Sequence, residues 1–359
     1  MSSLRIIALS SAKNLGESIN KYLQEKRNTD ENFLVPIKEV RFNNGEGKIT
    51  IEETIREKDV YILSDIGNHS CTYEMYGKTN YMGPDEHFQD IKRVISAMKG
   101  HYKSASVVMP LLYASRQHKR KGRESLDCSI SLQELQNLGV REIITFDAHD
   151  PNVENAVPLL AFENFYPTYS ILEKLVHDKK ITKDNIDKWI VISPDTGAMD
   201  RAKYCANVLG TDVGMFYKRR DYSKIVNGKN PIIAHEYLGK DINGLNAIIV
   251  DDMIASGDSI LEVAKELKNR GAKEVLLVST FALFTAGIER FDNAHKEKLF
   301  DKLYATNLTY THESLSKMEW FNLIDCSAFM SEIIDTLNRE QSISYLINRK
   351  ETLIRERKK

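Results

Sequence analysis

The sequence contains only four cysteines, Cys71, Cys128, Cys205 and Cys326, in 359 residues. They lie far apart and form neither a CxxC pair nor a metal-ligand spacing, which argues against a zinc module or a disulfide-stapled scaffold. We expect them to be reduced and mostly buried, in a cytoplasmic protein. No apolar run approaches the length needed to cross a bilayer, so no membrane partner is expected. An excess of one charge is also missing. The 50 basic and 51 acidic residues nearly cancel, so no global field points to nucleic acid. The opening "MSSLRIIALSSAKNLGESI" lacks the charged-then-long-apolar pattern of a signal segment and reads as a first strand, residues 5–9. There is no short repeat or low-complexity segment, and the basic "NRKETLIRERKK" reads as a solvated terminus rather than a nucleic-acid patch.

What is present is alternation. Short continuous apolar runs such as "DVYILSD", "ASVVMP", "EIITFDA", "WIVISPD", "AIIVDD" and "EVLLVSTFALF" are expected for strands covered on both faces. Helical patterns separate them, including "FQDIKRVISAMKG", "MDRAKYCANVLG" and "ILEVAKELKNRG", several closing in Gly. This order predicts an α/β fold with mostly parallel sheets, and the length suits two domains. Two similar halves are visible. "REIITFDAHD" and "NAIIVDDMIASGDS" each end an apolar strand in polar, metal-capable residues, at the strand end where doubly wound sheets bind ligands. Residues 222–246 are Gly- and Asn-rich and read as loop, with room for one short strand.

The segment "VDDMIASGDS" carries the sharpest chemistry. Residues 255–259 are small, and Gly257 can adopt backbone angles closed to other residues. Backbone N–H groups at a helix start form an anion cradle, and Ser256 and Ser259 add hydroxyl donors. Asp251 and Asp252 stand just before it. Neighbouring carboxylates repel unless something positive or protic lies between them, such as a sugar diol or a hydrated cation. Together these features describe a ribose 5-phosphate site, with Asp258 at the helix start. A capped helix alone, with Ser259 and Glu262 as a capping box, leaves the paired acids unexplained.

This segment resembles the phosphoribosyl-pyrophosphate (PRPP) motif of type I phosphoribosyltransferases. Other segments, in the same order along nearly the whole chain, resemble ribose-phosphate pyrophosphokinases: "RFNNGE" their "RFSDGE", "SRQHKRKGRES" their "ARQDRK…RE", "TFDAHD" their "TVDLHA", "SPDTGA" their "SPDIGG" and "YKRRDY" the start of their catalytic loop. "KNRGAKEVLLVSTFALFTAG" and "REQSISYLI" extend the similarity. The resemblance implies two similar type I phosphoribosyltransferase-like domains, placed at 1–168, with 331–359 packing back on it, and at 169–330. It also implies a homo-oligomer, often a hexamer built from dimers. The implied reaction transfers the β,γ-diphosphoryl group of ATP to the 1-hydroxyl of ribose 5-phosphate, giving PRPP and AMP, with Mg2+. It assigns Lys218 and Arg220 to transition-state stabilisation, and His149 and Asp195 to magnesium–ATP. Arg116 and Gln117 would bind ATP, and Phe42, Asn44 and Glu46 would form the adenine pocket, reached from a neighbouring subunit. An imidazole and a carboxylate suit a metal or its waters, and a cationic clamp suits a charged phosphoryl transition state.

The sequence also departs from the family pattern. The usual "DDMIDTGGT" is "DDMIASGDS", so Ala255 replaces an acid and Asp258 a glycine. Asn44 and His118 stand where Asp is usual, and Ala198 where Gly is usual. Extra length appears at residues 71–87, with an expected effect on allosteric control, and around 292–303. Two other readings keep part of the pattern. A PRPP-consuming phosphoribosyltransferase would leave "RFNNGE" and "SRQ" unexplained. A non-catalytic regulatory paralogue would be expected to lose Lys218, Arg220, His149 or Asp195, and all four are present.

Overall fold

The computed structural model describes residues 3–178, 180–182, 184–220 and 232–347, without the side chains of 218–220 and 232–235. The first part of the chain carries β1 (Ser3–Ala8), α1 (Lys13–Arg27), β2 (Ile37–Arg41), β3 (Gly47–Ile51), β4 (Lys58–Leu63), β5 (Thr72–Met75), β6 (Lys78–Tyr81), α2 (Pro84–Met98), β7 (Ser104–Val108), α3 (Asp127–Asn137), β8 (Glu142–Phe146) and β9 (Ala161–Phe165). There follow α4 (Thr168–His177), β10 (Trp189–Ser193), α5 (Met199–Leu209), β11 (Asp212–Arg220), β12 (Ile232–Leu238), β13 (Asn246–Ile254), α6 (Asp258–Asn269), β14 (Val275–Ala282), α7 (Glu289–Lys296), β15 (Lys302–Thr306), β16 (Phe321–Ile324), α8 (Ser327–Asn338) and α9 (Ser344–Ile347).

The chain divides into two compact units. One holds the residues up to Pro167, Asn307–Tyr310 and the stretch from Asp325; the other holds Thr168–Thr306 and Thr311–Ile324. The first unit is built on an all-parallel sheet of order β1-β4-β7-β8-β9. Every residue of β8 is buried, as a strand covered on both faces requires. Two antiparallel hairpins, β2–β3 and β5–β6, stand outside this sheet. The late segments are tied in by charge and rings. Arg27 Nε on α1 donates to Asp335 Oδ1 on α8 at 2.6 Å, and Phe329 packs edge-on against Phe146 and Phe165. Asp65, just after β4, accepts from Thr309 Oγ1 at 3.1 Å and from the Tyr310 amide at 2.7 Å.

The second unit has a seven-stranded sheet of order β12-β11-β10-β13-β14-β15-β16. All neighbours are parallel except β11 and β12. From β10 the chain runs outward through β11 and β12, then returns to β10's other side as β13. That reversal makes β10 and β13 the topological switch point, where open α/β sheets bind ligands beyond the carboxyl ends of the strands. In the first unit the parallel strands follow chain order, with no such reversal.

Candidate active site

The switch point of the second unit bears the acids. β13 is paired through to Ile254, opposite Ala282 of β14, so Asp251 and Asp252 lie inside the strand rather than at its end. Asp251 pairs in register with the buried Ser279. Asp252 is buried, and its amide donates to Asp251 Oδ1 at 2.9 Å. Burial, then the like charge of Asp252, raise the Asp251 carboxyl well above the ordinary range. Arg201 on α5 opposes that shift, and Asp195 adds to it. The pair therefore resists carrying two full charges by itself. A group that donates hydrogen bonds or brings positive charge relieves this, which is the chemistry of a sugar diol or a hydrated cation.

Beyond β13 the chain turns through Gly257, at φ 85°, into α6. Leu283 and Thr285 donate backbone hydrogen bonds to Ile254 and Ala255, bracing the turn. Phe291 of α7 lies against Gly257 so closely that a Cβ there would stand 2.4 Å from its Cζ. Ser259 is not the N-cap of α6, because the left-handed turn at Gly257 takes that place and starts the helix at Asp258. Asp258 Oδ2 accepts the Ser256 hydroxyl at 2.7 Å, and its Oδ1 is ion-paired with Arg290 of α7. Ser259 occupies the first turn of α6, half-buried.

Asp195 follows β10 and is exposed. Its Oδ1 accepts from the amides of Gly197 and Ala198 at 2.8 and 3.2 Å, and this fixes the turn into α5. Ala198 fits there with no positive φ, since its φ is −88°. Lys218 and Arg220 belong to β11, with backbone partners His235 and Ile232 on β12. They form its last residues instead of following it, and their side chains lie outside the described residues. The strand anticipated within 222–246 is β12.

In the first unit, the loop after β8 and the 3-10 turn Ser115–Gln117 lie together. The His118 and His149 rings stand 5.4 Å apart, edge to face. His118 Nε2 is 3.2 Å from Asp150 Oδ2, so the histidine that replaces the family's acid has an acid as its neighbour. Burial disfavours the Asp150 carboxylate. Hydrogen bonds from Asn152 and the nearby His118 and Lys119 outweigh it and hold the carboxyl below its ordinary range. Arg116, Gln117 and His149 are exposed. Phe42 is 47% exposed, so it is not a core aromatic. It sits on the turn joining β2 and β3, where the Phe42 amide donates to Glu46 O, and Asn44 Oδ1 accepts from the Glu46 amide. The extra length at 71–87 forms the β5–β6 hairpin, which leans on this turn. The Tyr76 amide donates to Asn43 O at 3.2 Å, and a recess of about 560 Å³ lies among Asn43, Asn44, Glu74, Tyr76 and Gly77.

Arg201 and Arg290 are the charged residues at this site that the sequence did not reveal. Each lies in a polar stretch of helix, where an arginine looks like any solvated charge, and no spacing sets either apart.

A switch point with acids on one strand and a slim turn beside them makes this a two-unit α/β protein of phosphoribosyltransferase type. A family model described as a phosphoribosyl transferase domain matches residues 169–309, and one described as the N-terminal domain of ribose phosphate pyrophosphokinase matches residues 4–139. The chain belongs to the ribose-phosphate pyrophosphokinase family. Curated relatives of that name include those of Mycoplasmopsis pulmonis, 27% identical over 84% of this chain and 86% of that protein, and of Mycoplasma genitalium, 26% identical over 96% and 94%. The crystal structure of phosphoribosylpyrophosphate synthetase from Mycobacterium smegmatis shares the fold. It is 18% identical, with a TM-score of 0.75, covering 94% of this chain and 99% of that one.

Proposed function

We propose that the protein is a ribose-phosphate diphosphokinase that supplies PRPP to nucleotide biosynthesis in the cytoplasm. The observation that carries this reading is the match of residues 4–139 to the N-terminal domain of ribose phosphate pyrophosphokinase. An enzyme that only consumes PRPP needs the second unit's motif but not that domain.

In the reaction, the 1-hydroxyl oxygen of ribose 5-phosphate attacks the β-phosphorus of ATP. The bond from the bridging oxygen to the β-phosphorus breaks, AMP leaves with that oxygen, and the hydroxyl loses its proton. Catalysis consists of alignment and charge stabilisation. We assign the ribose hydroxyls to Asp251 and Asp252. The phosphate falls to the turn of Ser256, Gly257, Asp258 and Ser259, where amides at the start of α6 face an anion. Lys218 and Arg220 stabilise the transferring diphosphoryl group, and Arg116, Gln117, Phe42, Asn44 and Glu46 bind ATP.

Magnesium, when bound, would neutralise phosphate charge. Among the described residues no cluster of three or more His, Cys, Asp or Glu could hold a metal alone. That donor set fits an ion bound mainly through substrate phosphates and water with few protein ligands, the usual habit of magnesium. His149 and Asp195 are the residues we assign to it. Self-association as dimers assembling to a hexamer completes the reading.

The test is AMP formation from ATP. It should require both ribose 5-phosphate and Mg2+ and should yield PRPP one for one. Absence of AMP, with both substrates bound, would overturn the assignment. Base-dependent release of diphosphate from PRPP would replace it with the transferase reading.

A further inference from the structure

Asp258 stands in the turn assigned above to the substrate phosphate, and the inference here rests on that assignment. An acid beside a phosphate dianion is unfavourable, yet the structure surrounds this one with the phosphate's own kind of donors. Its Oδ2 accepts the Ser256 hydroxyl at 2.7 Å, and its Oδ1 pairs with Arg290 Nη2. Arg290 Nη1 also reaches the Ser256 carbonyl at 3.5 Å. A guanidinium fork and a serine hydroxyl are donors that phosphate oxygens accept as readily as carboxylate oxygens do.

The mounting of Arg290 matters as much as its charge. The next residue, Phe291, is fully buried and packed against Gly257, so the α7 backbone is anchored beside the turn. Both charged groups reach solvent: the Arg290 side chain is 42% and that of Asp258 58% exposed. An anchored backbone with a solvent-reaching fork can pass its hydrogen bonds from one anion to another without unpacking the core.

We propose that Arg290 is a phosphate-binding residue of the ribose 5-phosphate site, and that Asp258 competes with the substrate phosphate for Arg290 and the Ser256 hydroxyl. Binding exchanges one anion for another on the same donors. The displaced carboxylate remains in the first turn of α6, where the helix dipole favours it. The acid thus lowers the affinity for ribose 5-phosphate, and the arginine raises it.

An arginine that merely neutralised Asp258 would occupy the same place, so the variants must separate the two roles. Calorimetric dissociation constants for ribose 5-phosphate are measured for the wild type, Arg290→Ala, Asp258→Gly and the double variant, with kcat and the KM for ATP alongside. Arg290→Ala is expected to weaken ribose 5-phosphate binding about tenfold and to leave the KM for ATP unchanged. Asp258→Gly is expected to tighten it. In the Asp258→Gly background, Arg290→Ala should weaken binding by more than tenfold, because the arginine no longer has to leave the acid to meet the phosphate. If Arg290→Ala becomes silent once Asp258 is gone, the arginine only screens the acid and the proposal fails. Equal affinity in the wild type and Arg290→Ala also overturns it and leaves the enzyme assignment standing. A wild type that binds no ribose 5-phosphate removes both.

Discussion

Gly257 and Phe291 meet with no room for a side chain between them: a Cβ on Gly257 would lie 2.4 Å from Cζ and 2.6 Å from Cε2 of the ring. The backbone there is left-handed, with φ 85°, which costs an L-residue about 1 kcal/mol before any contact is counted. The ring is fully buried and cannot retreat cheaply. Gly257→Ala should therefore lower the melting temperature modestly and weaken ribose 5-phosphate binding about tenfold or more, as the turn is pushed away from its place beside β13. Unchanged affinity in this variant would show that the turn's backbone does not touch the substrate.

Lys218 is the third-last residue of β11, a strand held by both β10 and β12. If its ammonium meets the transferring diphosphoryl group, Lys218→Ala should reduce kcat by about 10²- to 10³-fold with little change in substrate affinity. Steady-state kinetics with calorimetric binding decide this. Full activity in the variant would remove the residue from the catalytic assignment.

Glu142 supplies a pH dependence of stability. Burial first, and then the charge of Glu163, push its carboxyl from an ordinary 4.5 up to about 7, against a hydrogen bond from Ser106. Its folded value thus lies above its unfolded one, so between pH 4.5 and 7 the folded state binds more of the proton. This contribution to stability is full below pH 4.5 and is lost as pH rises through 7. The melting temperature of Glu142→Gln, compared with wild type from pH 4.5 to 8, should gain on wild type as pH rises. Parallel pH profiles would show the carboxyl to be unperturbed.

Asp335 joins α8 to α1 and is nearly fully buried. It accepts from Arg27 at 2.6 Å and from Arg339 at 3.1 Å, while Arg27 also donates to Asn338 at 2.8 Å. Asp335→Ala leaves two guanidinium groups without their anion and should destabilise the first unit by about 3 kcal/mol. The expected readout is a lower denaturation midpoint with an unchanged slope. An unshifted midpoint would mean that ring packing by Phe329 alone holds α8.

The parts of this fold legible in the sequence were those whose residues are dictated locally. Residues 142–146 and 189–193 are apolar throughout because both faces of their strands are covered. The acids of β13 were legible as chemistry but not in position. Two charges look like a strand end, whereas register with β14 carries the pairing on to Ile254. The start of α6 was legible only in part, through Asp258. Ser259 and Glu262 make a good local capping pattern, but the turn at Gly257, wedged by Phe291 from far along the chain, sets the first helical residue. Arg290 became visible as a partner of Asp258 only once α7 was placed beside the turn. The β5–β6 hairpin was legible as added length, whereas its contact with the Asn43 carbonyl depends on a tertiary approach that no periodicity encodes.

The first unit draws on the chain three times, taking the residues up to Pro167, then four residues from Asn307, then the stretch from Asp325. On the ribosome, the strands of its sheet are made early, but the acid that neutralises Arg27 and the ring that covers Phe146 and Phe165 are made more than a hundred and fifty residues later, on the order of ten seconds or more of synthesis. Until then Arg27 of α1 is without that acid, and Phe146 and Phe165 are without the Phe329 ring that packs on them. A chain stalled or clipped before residue 325 would leave the earlier-made half without α8.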